Sequence, residues 1–260
     1  MRVLKIELEG ITTSFRYPHF LVGRQPSLPM PPPATIHGHI ASALGEYPDP
    51  NSFRFAYTFT HQGRVDDYEH TWLIKPDRSA RGWEYPANIS ANLNPTAREL
   101  FFFPRLTLYL QTPDLEVWRK AFLEPRYPVL LGRSQDLASY RSVQLVDLEQ
   151  RDTGYYEHTL LPWSYRPRLR VGQGILMPRW INPDNRREVR WARFVVLEHR
   201  LFHPKAGEKV PPNEVVTVSA SAEALWVDPT SPVHRERQRI LVWHSLLGQE
   251  SETLEPSAAL

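Results

Sequence analysis

Five prolines fall within the eight residues 26–33. Proline has a fixed φ and no amide hydrogen, so this run can enter neither a helix interior nor a central strand, and an extended surface loop is expected. The chain on either side must therefore be built from short pieces. Ahead of the run, Val3, Ile6 and Leu8 alternate imperfectly around Lys5 and stop at Gly10, which marks a first strand. Behind it, Thr35 can cap a short helix in which Ile36, Ile40, Ala43 and Leu44 share a face, and Gly45 can end it in the left-handed conformation.

Phe53, Phe55, Tyr57 and Phe59 alternate as a half-buried strand, and after His61-Gln62-Gly63-Arg64 a second strand runs through Trp72 and Ile74. The two read as a hairpin. Residues 76–95 are too poor in periodic apolar positions for a plain connection, so a projecting arm is expected near 76–100. Residues 101–110 suit a strand with Pro104 at its edge; residues 113–123 suit a helix with Leu115, Trp118 and Phe122 on one face; residues 142–148 suit a further strand. Strand, helix, strand, strand, helix, strand is the ferredoxin-like order of RNA-recognition modules, with either the second hairpin strand or 101–110 serving as the third strand. After Gln150 short strands and turns take over, 190–200 and 215–227 being the best strand candidates. The expected architecture is α+β: a ferredoxin-like domain over 1–150 with an inserted hairpin or thumb, a smaller mostly β part over 151–250, and a loose tail over 251–260.

A net charge of +2 says little, but its distribution says more. No acid lies between Gly10 and Glu46, where Arg16, Arg24, His19, His37 and His39 fall, and none lies from Trp163 to Ile181 around Arg166, Arg168, Arg170 and Arg179. Apart from Lys5, Lys75, Lys120, Lys205 and Lys209 the cations are arginines, whose planar guanidinium forks onto phosphate and stacks on bases. A genome that favours arginine codons would produce the same composition. With no cysteine, disulfides, thiolate metal sites and cysteine nucleophiles are excluded; the pair His37 and His39 has no carboxylate beside it, so neither metal nor cofactor is expected. No run approaches the roughly 20 apolar residues of a membrane span, and the alternating start is unlike a signal peptide. A cytoplasmic protein without membrane contact is expected.

Ile11-Thr12-Thr13-Ser14-Phe15-Arg16-Tyr17-Pro18 leads into Pro31-Pro32-Pro33-Ala34-Thr35-Ile36-His37-Gly38 and ends at Ala43-Leu44-Gly45. A second block, Pro128-Val129-Leu130-Leu131-Gly132-Arg133-Ser134-Gln135-Asp136-Leu137-Ala138, precedes the 142–148 strand. In order and spacing the two resemble the CRISPR-associated Cas5 family, a RAMP group with a ferredoxin-like core and an inserted thumb, the pattern being most like its type I-B branch. The resemblance implies a Cascade subunit that caps the 5′ handle of the guide RNA (crRNA), contacts the backbone and large subunits, and meets target DNA through the complex in antiviral defence. Some type I-C relatives also cut the repeat RNA.

RNA held as a splayed single strand needs cations for phosphates and rings for bases. Arg16 and Arg24 can serve the first need and Tyr17, His19 and Phe20 the second, although Tyr17 and Phe20 equally suit sealing the core under a loop. His37 and Gly38 lie in the first helical turn, whose positive end attracts anions; a packed histidine is the other reading. Lys75, Arg78, Arg81 and Trp83 lie on the arm. The turn Gly132-Arg133-Ser134 frees N–H groups for a phosphate, while Asp136 offers Arg133 a partner inside the chain. Arg166 and Arg168 alternate with Pro167 and Leu169 along an extended segment, as a phosphate-tracking edge or a solubilising face. The expected protein is a non-catalytic crRNA-binding subunit. The alternative is a metal-independent endoribonuclease drawing on His61, Lys75, Tyr155, Tyr156 and His158, which no spacing ties together.

Overall fold

The computed structural model describes residues 1–20, 23–76, 89–205, 208–211, 214–216, 225–248 and 253–254. Strand β1 (Arg2–Gly10) lies inside the main sheet, and its imperfect alternation has a reason: Val3, Leu4, Ile6 and Leu8 are buried, and so is Lys5, because both faces of the strand are covered. Two short strands follow, β2 (Thr12–Thr13) and β3 (Arg24–Gln25).

Helix α1 (Pro33–Leu44) starts two residues before Thr35. Pro33 takes its first position, where a missing N–H costs nothing, and no side chain caps it; the Thr35 amide bonds to Pro32 O at 2.8 Å. Gly45 (φ 89°) ends the helix with its N–H on Ala41 O. The proline run is a larger correction. Residues 27–33 are buried, with Leu28 and Met30 in the main core. A proline brings no amide donor into the interior, so a proline-rich segment can be buried with few groups left to satisfy. Of those that remain, Leu28 N bonds to Phe15 O at 2.7 Å and Pro31 O accepts from Tyr57 Oη at 2.6 Å. Burying Leu28 and Met30 contributes about 1.5–3 kcal/mol each.

The expected hairpin of residues 53–59 with 68–75 does not form. β4 (Arg54–Thr60) pairs instead with β7 (Arg105–Gln111), Phe55 opposite Leu110 and Phe59 opposite Leu106. Between them in sequence, β5 (Gly63–Pro76) and β6 (Ile89–Phe102) pair with each other along their whole length, from Gly63↔Phe102 to Pro76↔Ile89. Alternation reports which faces of a strand are buried, not which strand lies beside it. After β7 come α2 (Leu115–Leu123), which buries Trp118 and Phe122, and β8 (Ala138–Asp147). β1 lies between β7 and β8, antiparallel to both, so these strands stand in the order β4, β7, β1, β8.

Beyond residue 147 the chain forms β9 (Glu149–Arg151), β10 (Gly154–Tyr156) and β11 (Thr159–Pro162), then a 3₁₀ turn over Trp163–Arg168. β12 (Gln173–Ile181), β13 (Val189–Leu197) and β14 (Leu201–His203) follow, and β15 (Leu225–Val227) comes next. Thr159 sits opposite Thr58, so the main sheet continues past residue 150 through β11, β13 and β12. Even the expected tail contributes a short strand, β16 (Thr253–Leu254), on β13.

The helices and the proline segment cover one face of β4, β7, β1 and β8. Residues 226–243 cover the other, where Val3, Ala56, Tyr109, Val146, Leu148 and Leu241 form a cluster flanked by Trp226 and Trp243. Lys5 is seated there: its Nζ donates to Asp228 Oδ2 at 2.7 Å and to Thr230 Oγ1 at 3.1 Å, and Tyr109 Oη donates to the same carboxylate at 2.9 Å. Burial opposes charge on Asp228, yet the bonds from Lys5, Thr230 and Tyr109 together hold its carboxyl below the ordinary aspartate value. Because the rear of the sheet is occupied, a ligand must approach elsewhere.

Candidate nucleic-acid interface

The two sequence blocks, more than a hundred residues apart, form one unit. Thr13 Oγ1 donates to Leu131 O, and Thr12 Oγ1 donates to Asp136 Oδ1 at 3.0 Å. Gly132 (φ 96°) lies so close that a Cβ would stand 2.5 Å from Thr13 Oγ1 and 2.7 Å from Ser14 O, which only glycine avoids. Behind them Tyr140 Oη bonds to His39 Nε2 at 3.0 Å, and His39 Nδ1 to Leu130 O at 2.9 Å. A carbonyl only accepts, so Nδ1 carries the proton and Nε2 receives the tyrosine hydroxyl. Burial pushes His39 down to about 4, which keeps it neutral. This braced unit fixes where Phe15 turns inward and Arg16 outward.

Arg16 stands at a cleft of about 500 Å³. One wall is the turn after β2 with the first residues of α1, including Gly38, where nothing lies within 4 Å of a would-be Cβ. The other wall is the hairpin of β12 and β13, which supplies Arg186, Val189 and Trp191. Arg16 is exposed and has no carboxylate partner among the described residues. His19 bridges the walls by stacking on Trp191, with ring centroids 5.7 Å apart and planes 26° apart. Tyr17 is half-buried against the core and meets the exposed Phe20 edge-on at 5.8 Å; burial, then Glu99, raises its hydroxyl above the ordinary tyrosine value. Tyr17 thus belongs more to the wall than to the opening.

Other expected contacts are engaged inside the protein. Arg24 pairs with Asp66 on β5 at 3.1 Å. His37 is buried beside Pro48 O at 3.3 Å, and burial lowers its pKa, so a neutral packed imidazole occupies the helix start. Arg133 forks onto Asp136 at 2.9 and 2.7 Å, with Glu69 3.6 Å away, while Ser134 is exposed beside it. Arg166 and Arg168 lie in the 3₁₀ turn and not on an extended segment, so their spacing does not line them along one edge; Arg166 bonds to Leu169 O at 3.1 Å and Arg168 lies over the Tyr165 ring. Of the arm residues, Lys75 has its backbone on β5 with its side chain outside the described residues, and Arg78, Arg81 and Trp83 lie outside them altogether.

Of the residues named for catalysis, His158 stands near enough to His61 to help lower it, and the two tyrosines are packed inside. Tyr155 and Tyr156 are buried, Tyr155 Oη donating to Pro232 O at 2.8 Å. His61 stacks on Phe101 at 4.6 Å, and burial lowers both His61 and His158. Among the described residues no cluster of three or more histidines and acids suits a metal ion.

Arg186 and Trp191 were not singled out in the sequence. The signal was a turn, Asn182-Pro183-Asp184-Asn185, between two apolar-rich runs, which marks a hairpin that would bring both residues to one end.

A family model described as CRISPR-associated protein (Cas_Cas5) matches residues 3–172. No curated protein matches the sequence significantly. Among solved structures, a chain of a "CRISPR RNA-guided surveillance complex" is similar at 15% identity, over 82% of this chain and 92% of that one, with a TM-score of 0.49. A CRISPR protein from Archaeoglobus fulgidus is similar at 13% identity, over 76% and 87% of the two chains, with a TM-score of 0.42.

Proposed function

Because the chain belongs to the CRISPR-associated Cas5 family, we propose that it is a non-catalytic subunit of a type I Cascade complex that holds the 5′ handle of the crRNA. On this reading β1, α1, β4, β7, α2 and β8 are the ferredoxin-like core and the β5–β6 ribbon is the thumb. The backbone and large subunits are its neighbours, and target DNA is met through the assembled complex.

The observation that carries the reading is Arg16, a guanidinium with no carboxylate partner among the described residues, at a cleft whose walls are joined by the His19–Trp191 stack. A phosphate on Arg16 would supply that missing partner, and a base stacked on an exposed ring gains about 1–3 kcal/mol. Arg16→Glu is expected to weaken binding of handle-bearing RNA about thirtyfold in a filter-binding assay with no change in melting temperature. Unchanged affinity would overturn the site. Specific, metal-free cutting of repeat RNA by the pure protein would replace the reading with the endoribonuclease alternative, for which His61 and His158 are the residues to test.

A further inference from the structure

The β12–β13 hairpin carries more cationic surface than the cleft uses. Arg186 and Arg187 in its turn and Arg190 and Arg193 on β13 are exposed, and none has a carboxylate partner among the described residues. The two acids of that turn do not neutralise them: Glu188 accepts from Asn182 Nδ2 at 2.8 Å, and Asp184 makes no ion pair with them. Along a strand alternate residues share a face, so Val189, Trp191 and Arg193 point the same way. Val189 and Trp191 line the cleft; Arg193 continues their face away from it, opposite Leu176, with its guanidinium over the Trp163 ring at 5.8 Å.

From Arg16 through the His19–Trp191 stack to Arg193 and Trp163, cation and ring alternate with no paired acid. We propose that this face of the hairpin is a second strip for single-stranded RNA that leads out of the cleft from Arg186 and Trp191, with Arg193 holding a phosphate of the nucleotides next to those in the cleft. The strip rests on the RNA-binding reading above. An acidic protein segment would satisfy the guanidiniums and leave the rings unused, whereas unpaired bases engage both.

The test compares the full-length protein with its Arg193→Glu variant by fluorescence anisotropy, on handle-bearing RNA and on the same RNA trimmed from its 3′ side. The wild type is expected to lose about tenfold on trimming. The variant should bind the longer RNA as weakly as the wild type binds the trimmed one, lose nothing further on trimming, and show a log–log salt slope smaller by about 0.7. The milder Arg193→Gln protein, checked for an unchanged melting temperature, should fall between them, and Trp191→Phe should retain more affinity than Trp191→Ala. A charge-reversed variant that keeps wild-type affinity and salt slope on both RNAs would overturn the strip and leave the cleft standing. If that variant instead loses a co-purifying protein, the face belongs to an acidic partner and the strip is likewise overturned. A wild type that binds neither RNA would overturn both readings.

Discussion

Two regions of this protein are built from the same side chains and differ in what is left over. Around Tyr155 and Phe202, four arginines lie over rings: Arg200 and Arg239 over Tyr155 at 5.1 and 5.8 Å, Arg235 and Arg237 over Phe202 at 5.0 and 5.5 Å. There Glu157 pairs with both Arg200 (2.8 Å) and Arg239 (3.4 Å), Glu208 with Arg237, and Glu214 with Arg235. Around the cleft and the β12–β13 hairpin, Arg193 lies over Trp163 and Arg190 over Trp180, and neither has a carboxylate partner among the described residues. The first region spends its electrostatic attraction within the fold. The second leaves it unspent. An arginine beside an aromatic ring is therefore no marker of binding by itself; the carboxylate count around it decides.

The largest effect that would sharpen this contrast is on stability. Glu157→Gln leaves two half-buried guanidiniums facing each other without their shared acid and is expected to cost about 2–3 kcal/mol in denaturant unfolding, with RNA affinity within about twofold of wild type. Next, Leu176→Glu places a carboxylate across the strand from Arg193 and turns the free region into a copy of the paired one. RNA affinity should fall about tenfold in anisotropy titrations while stability moves by less than about 1 kcal/mol. The smallest effect belongs to Arg235→Gln: its pair with Glu214 is exposed, so unfolding should shift by about 0.5 kcal/mol or less and RNA binding should not change. If Arg235→Gln weakened RNA binding as much as Leu176→Glu, the distinction between the regions would be broken.

These cases also show how far the sequence could be read. Reading acid-free stretches singled out Arg16, which has no carboxylate partner among the described residues. The same reading could not foresee the partner of Arg24, Asp66, which lies 42 residues away and arrives only when β5 folds back past β3. It passed over Arg186 and Arg193, since Asp184 and Glu188 are near in sequence, although Glu188 binds Asn182 and Asp184 pairs with neither arginine. For Arg133 the partner Asp136 was visible three residues on. The strands themselves were legible from alternation at β1, β4 and β7, but the pairing of β4 was not, because a ribbon of two fourteen-residue strands separates it from β7. The proline run was misplaced because loops usually lie outside, while prolines bring few donors that would need water.

The seat of Lys5 sets the order in which this protein can be finished. Its ammonium leaves the ribosome 223 residues before the carboxylate of Asp228 that neutralises it. Until then the ammonium has only Glu7, 3.6 Å away on its own strand, and the segment that buries it has yet to emerge, so the nascent half-protein is held short of its final packing. A chain cut before Asp228 would be arrested at that point: a folded-looking front with an unfilled socket behind it.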